Sequence, residues 1–309
     1  MKILLILLST VIGCLLLAEG GLRLILGLGN PPLYIADDEI GYLLAPNQNL
    51  KRMGNQITVN QYSMRSEAIS ESKPDSLWRV LLLGDSIING GWWTDQQETI
   101  AAVLQQKLSS EANSVQVLNA SANSWSPRNE LAYIKRFGVF ESQILIVVIN
   151  TDDLFATAPN SLVVGRDRNY PERKPVLALT EAYERFIAKP QPLPNQKPEP
   201  GDRVGFNLAA IQEMNEIAQS QNSQFILAMT PLLRELEGAG SRDYEQKARN
   251  RLQEFTVQAK ITYIDFLPLF ADFPQPEFLY RDHIHLSPQG NHFVSETLAK
   301  SLQSFLPQN

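Results

Sequence analysis

VLLLGDSIING, residues 80–90, runs four apolar residues straight into Gly84-Asp85-Ser86 and closes on a glycine four residues after the serine. A run of this kind reads as a strand covered on both faces that stops at a small polar turn. Gly, Asp and Ser end many strands for reasons of turn geometry alone. The stretch therefore has two readings: an ordinary strand end, or a serine displayed at the carboxyl edge of a sheet. The rest of the chain decides between them.

Working outward, apolar runs recur at Arg79–Leu83, Val115–Asn119, Gln143–Asn150, Gln224–Thr230 and Ile261–Phe266. Helical spacing fills the gaps, with Ile100, Val103, Leu104 and Leu108 on one face, and Phe293, Val294, Leu298, Leu302 and Phe305 on another. Near-continuous apolar strands alternating with amphipathic helices require a parallel sheet covered on both sides. The expected fold class is α/β, a doubly wound, flavodoxin-like five-stranded parallel sheet. One segment breaks the alternation, residues 155–203, which ends in KPQPLPNQKPEPG (Lys189–Gly201), whose five prolines forbid a regular helix or central strand. It reads as an insertion, either a surface loop or a lid.

Ahead of this domain, Ile3–Ala18 is apolar apart from Ser9 and Thr10, and Leu24–Gly29 resumes the apolar character after Glu19 and Arg23. About 20 apolar residues cross a bilayer, so residues 1–29 read as an uncleaved membrane anchor. Lys2 on the short side puts the remainder outside the cytoplasm. VIGC (Val11–Cys14) also resembles a bacterial lipobox, but the apolar LLLA that follows Cys14 argues against lipidation there. Residues 30–76, with Ile40–Gln48 and the alternating Gln56–Ser66, read as a short β-like extension, leaving 77–309 for the α/β domain. A net charge of -6 without a long basic run argues against nucleic acid as a partner. The single cysteine excludes an internal disulfide framework and a cysteine-based zinc cluster.

In an open parallel sheet, ligands bind beyond the carboxyl ends of the strands. There the first strand offers Gly84-Asp85-Ser86, the second NASANS (Asn119–Ser124) and the third NTDD (Asn150–Asp153). After the fifth come all three histidines, His283, His285 and His292, in YRDHIHLSPQGNH (Tyr280–His292). A serine needs a base, normally imidazole, itself oriented by a carboxylate. Asp282 and His285, three residues apart, supply both: one ring nitrogen faces the carboxylate and the other is free to face Ser86. A metal site on His283 and His285 is the weaker reading, since sulfur ligands are absent and no distant histidine completes the set. His292, inside the last helix after the Ser287-Pro288 cap, reads as surface or packing. Trp92 and Trp93 read either as core anchors or as a platform for an acyl chain or sugar ring.

These residues resemble the SGNH or GDSL-type esterases and acylhydrolases over roughly Arg79–Leu306. The match rests on Gly-Asp-Ser with Gly90 behind it and on Asp-x-x-His followed by HLSPQG, in the right order at opposite ends of the alternation. The resemblance implies a cofactor-free hydrolase with Ser86 as nucleophile, His285 as general base and then acid, and Asp282 as its orienting partner. It also implies an oxyanion hole from the N–H of Ser86, a second-block glycine and a third-block asparagine. Ser124 stands at the glycine position and can still offer an N–H if its backbone angles allow. Asp152 stands where Gly-x-Asn-Asp has asparagine, and an ionised carboxylate accepts hydrogen bonds without donating. Either Asp152 stays protonated, or Asn150 or Asn123 takes the role, or the domain has weak or no esterase activity. Membrane-tethered relatives imply an ester of an envelope carbohydrate as substrate, with a lipid ester second. The implied reaction is acyl transfer to water or a sugar hydroxyl, and the alternative is a noncatalytic glycan-binding or assembly protein.

Overall fold

The structure is a computed structural model that describes residues 1–110, 114–194, 199–238 and 240–306. A long helix, α1 (Lys2–Leu26), leads into two antiparallel hairpins, β1 (Tyr34–Asp37) with β2 (Gly41–Leu44) and β3 (Gln48–Arg52) with β4 (Asn55–Val59). The alternation then begins with β5 (Leu77–Gly84), the single-turn α2 (Ser86–Asn89), α3 (Ile100–Leu108), β6 (Ser114–Ser121), α4 (Pro127–Phe137) and β7 (Ile144–Asn150). After the insertion, which carries α5 (Ala178–Phe186), come α6 (Arg203–Ser220), β8 (Gln224–Thr230), α7 (Asp243–Gln258), β9 (Thr262–Asp265), α8 (Phe266–Ala271) and α9 (Pro288–Leu302).

The five later strands form one parallel sheet in the order β6-β5-β7-β8-β9. Its two faces follow directly from the period of two along each strand. Leu81, Leu83, Leu145, Val147 and Leu227 pack into the core shared with both hairpins, α4 and α6. Val80, Leu82, Ile144, Ile146 and Ile226 pack on the opposite side with α3, α8 and α9. The doubly wound expectation is met, and the chain reverses its direction of travel across the sheet at β5. The carboxyl end of β5, where Ser86 follows, is thus the topological switch point at which such sheets bind ligands.

The expected faces of α3 and α9 are the buried ones, although Phe305 falls beyond α9 and is partly exposed. Residues 30–76 contribute Tyr34, Ile40, Tyr42, Leu50, Ile57 and Met64 to the same core as the sheet. The described part of Lys189–Gly201 has no regular structure, as its prolines dictate. Helix α5 just before it is not foreshadowed by any capping residue, because its cap comes from elsewhere: the Glu19 carboxylate of α1 accepts the N–H groups of Ala178 and Leu179.

Candidate active site

Ser86 is the first residue of α2, directly after β5, and is buried. The turn that carries it is fixed by Asp85, whose carboxylate accepts the N–H of Ile87 at 2.8 Å and the Asn150 side-chain amide at 2.9 Å. The far end of α2 is tied to β6 by Asn119 Nδ2, which donates to the Ile88 carbonyl, and by Asn89 Nδ2, which donates to the Ser121 carbonyl. Gly90 then closes the turn with φ 73°, a left-handed conformation that glycine adopts without a Cβ clash.

From the opposite end of the chain, the Tyr280–Leu286 loop returns to the same edge. It is pinched by a bridge between Tyr280 and Leu286 and by the Arg281 N–H on the His285 carbonyl. Within it, Asp282 accepts the backbone N–H groups of Ile284 and His285, which sets the turn. The Asp282 carboxylate lies 2.8 Å from Nδ1 of His285, and Nε2 of the same ring lies 3.0 Å from the Ser86 hydroxyl. Burial works to raise the Asp282 carboxyl, but the His285 and Ile284 N–H groups and the imidazole outweigh it and hold the group below its ordinary range. Asp282 is therefore a carboxylate at neutral pH, able to favour the tautomer with the proton on Nδ1 and the lone pair on Nε2 toward Ser86.

His283 is exposed, with its Nδ1 3.9 Å from the Asp282 carboxylate, and His292 sits against Glu98 on the surface. The ring of Trp93 lies against His285 with centroids 4.5 Å apart, and the Arg281 guanidinium covers both Trp92 and Trp93. Both tryptophans thus border the site, and Trp92 also packs against the core.

A cavity of about 330 Å³ opens over Ser86, His285 and Asp282. Trp92, Trp93, Asn89, Asn123 and Ser124 line one part of it, and Pro32, Tyr34, Tyr170 and Arg185 line another. Ser124 has φ 57°. This is the left-handed region in which glycine is at home and other residues are uncommon, so Ser124 holds a backbone that suits the glycine expected at its position. Its hydroxyl meets the Tyr170 hydroxyl at 2.8 Å, and the Tyr42 hydroxyl donates to the neighbouring Asn123 carbonyl at 2.7 Å. Tyr42 packs edge to face against both Tyr34 and Tyr170 around this loop, and Tyr34 lies tilted against Tyr170.

The third-strand block is arranged differently from the expectation that Asp152 stands at the oxyanion. Asn150 caps the following turn by accepting the Asp152 N–H, and the Asp152 side chain is left exposed, outside the lining of the cavity and near Arg234, Glu245 and Glu235. Asn150 is buried beneath the site instead, its amide shared between Asp85 and Asp153. Burial away from water pushes Asp85 up to about 6, against the opposing pull of the Ile87 N–H and of His285, and pushes Asp153 well above its ordinary range. Asn123, of the three alternatives, is the one that lines the cavity, and its Oδ1 is buried with no partner. Tyr34, Tyr170, Arg185 and Arg281 join the site without any motif to mark them, since the first three come from the hairpins and the insertion.

The GDSL-like lipase/acylhydrolase family model matches residues 82–293, well over half of the chain, and the chain belongs to that hydrolase family. No curated protein sequence matches it. Among solved structures, TesA is 15% identical with a TM-score of 0.50, over 74% of this chain and 99% of TesA. At that identity the likeness is one of fold alone. A lipase/acylhydrolase from Enterococcus faecalis is 13% identical, TM-score 0.47, over 75% of this chain and 98% of its own. The acetylxylan esterase Axe2 from Geobacillus stearothermophilus is 14% identical, TM-score 0.47, over 73% and 94%.

Proposed function

We propose that the protein is a membrane-anchored serine esterase or O-acyltransferase that acts on an ester of an envelope carbohydrate, with its α/β domain outside the cytoplasm. The observation that carries the reading is the continuous chain from the Asp282 carboxylate through His285 to the Ser86 hydroxyl at 2.8 and 3.0 Å. His285 takes the hydroxyl proton as Ser86 attacks the ester carbonyl, then returns it to the leaving alcohol; water or a sugar hydroxyl resolves the acyl-serine. The N–H groups of Ser86 and Ser124 and the amide of Asn123 supply the oxyanion donors. Ser86 N–H is the first of a helix and has no acceptor within it.

The carbohydrate preference is supported by the polar residues Asn123, Asn169 and Tyr170 in the cavity wall, beside the indoles of Trp92 and Trp93. Polar groups around an aromatic platform suit a sugar ring better than an acyl tail. The noncatalytic alternative rested on a carboxylate at the oxyanion, and Asp152 lies outside the cavity. Anchoring is supported by α1, 25 residues long with a mean hydropathy of 2.4 over its apolar window and no buried residue. The reading is tested by offering acetylated and de-acetylated oligosaccharides and medium-chain lipid esters to the full-chain protein. Release of acetate from the sugars in preference to fatty acid from the lipids is expected, and the reverse order overturns the carbohydrate assignment.

A further inference from the structure

Helix α5 is built the wrong way round for a helix in water. Its inward side buries Glu181 and half-buries Arg185, which pair with each other at 3.0 Å. Its outward side carries Tyr183, Phe186 and, just past its end, Ile187, and Val176 lies two residues ahead of the helix. Phe186, Ile187 and Val176 are 66%, 73% and 88% exposed. Single exposed apolar residues are ordinary, whereas three that adjoin at one helix end, with a fourth just ahead of the helix, mark a contact surface.

Where α5 is attached indicates what covers it. Besides the Glu19 cap, Arg23 of α1 donates to the Val176 carbonyl at 2.8 Å, and Glu181 accepts the Gly29 N–H at 2.6 Å. The amino end of α5 is thereby stapled to the last two turns of α1. At the helical rise, Ile3 to Glu19 spans about 24 Å and Ile3 to Leu26 about 35 Å, against a hydrocarbon core about 30 Å thick. Any spanning placement of α1 carries this junction to the edge of the hydrocarbon, at the level of the exposed Leu24 and Ile25. Charge agrees: Arg166–Lys189 holds six basic and four acidic residues in a chain of net charge -6, and Arg173, Lys174 and Lys189 flank α5 and are exposed. An aromatic and aliphatic face flanked by cations is the chemistry of a helix lying in the interface of an anionic bilayer.

We infer that the outer face of α5, with Leu24 and Ile25, is a second membrane contact seated in the headgroup region of an anionic phospholipid bilayer. The inference rests on the reading of α1 as an anchor. Because Asn169, Tyr170 and Arg185 of the same insertion wall the cavity, the contact holds the mouth of the site at the bilayer surface, where an ester presented there reaches Ser86.

The test uses the full chain with Cys14→Ser and Phe186→Cys, labelled with an environment-sensitive fluorophore, in phosphatidylethanolamine–phosphatidylglycerol vesicles. Cys14→Ser with Val257→Cys, exposed on α7, is the solvent reference. The expected result is a blue-shifted label at 186 that iodide quenches several-fold less than the label at 257, unchanged when excess lipid dilutes the protein. Equal quenching in protein that survives an alkaline carbonate wash overturns the inference and leaves the anchor standing. Loss of the protein in that wash overturns the anchor reading, and this inference with it. Shielding that disappears on dilution assigns the face to a second copy of the chain and overturns the bilayer contact.

Discussion

His285 is useful to Ser86 only while its ring is held edge-on between the hydroxyl and Asp282, so the three residues act as a unit. Ser86→Ala and His285→Ala are expected to lose ester turnover to similar extents, and the double variant no further, because effects within such a unit are non-additive. Steady-state rates with a model acetyl ester check this; additive losses would mean that the groups act separately. Asn123→Ala is expected to lower kcat about 10²- to 10³-fold, the cost of one oxyanion donor, whereas Asp152→Asn leaves kcat within a factor of about three, since the side chain lies outside the cavity. If Asp152→Asn moves the rate as far as Asn123→Ala does, the assignment of donors is wrong. At this scale the sequence is partly transparent. Gly-Asp-Ser and Asp-x-x-His place their own side chains because each motif sets its own turn. The third-strand block depends on which neighbour wins the cap, and Asn150 takes the Asp152 N–H, turning outward the residue that the Gly-x-Asn-Asp pattern puts at the oxyanion.

The elements around the site are locked by buried charge, which makes their stability pH-dependent and sensitive to single partners. Glu130 of α4 is fully buried with neither oxygen hydrogen-bonded, and burial, followed by the nearby Asp85, raises it well above its ordinary value near 4.5. A raised carboxyl favours folding in its protonated form. Its contribution is complete below the unfolded value and is lost as pH rises toward the folded one, by up to about 1.4 kcal/mol per pH unit. Glu130→Gln removes this loss, so the stability gap between variant and native protein, from urea unfolding, is expected to be larger at pH 8 than at pH 5. An equal gap at both would contradict it. Arg52 of β3 reaches Glu181 of α5 in a buried ion pair that ties the second hairpin to the insertion. Arg52→Met is expected to cost about 3 kcal/mol, the low end for an orphaned buried charge, because Arg185 still faces Glu181. Elements whose stabilising partners are close in sequence, such as α3 with its Thr99 cap, are legible from periodicity. Helix α5 is not, since its cap comes from Glu19 and its buried side is the charged one.

For the whole molecule, the five parallel strands, the cover on both faces and the convergence of Ser86, Asp282 and His285 on one edge were readable, because a strand covered on both faces carries a continuous apolar signal. The contributions of the hairpins and the insertion to the cavity wall were not, because Tyr34 and Tyr170 are brought together only by the closed fold. Anchoring by α1 predicts that the full chain stays with membranes through high-salt washing and that a reporter after Asn309 works only outside the cytoplasm; release by salt alone would contradict it. Catalysis itself is tested most directly by exposing the full-chain protein in mild detergent to a fluorophosphonate and locating the adduct by peptide mass spectrometry. The account predicts one stoichiometric adduct on Ser86, absent from Ser86→Ala and formed far more slowly by His285→Ala. A folded protein that takes no label, or is labelled equally well in Ser86→Ala, would contradict it.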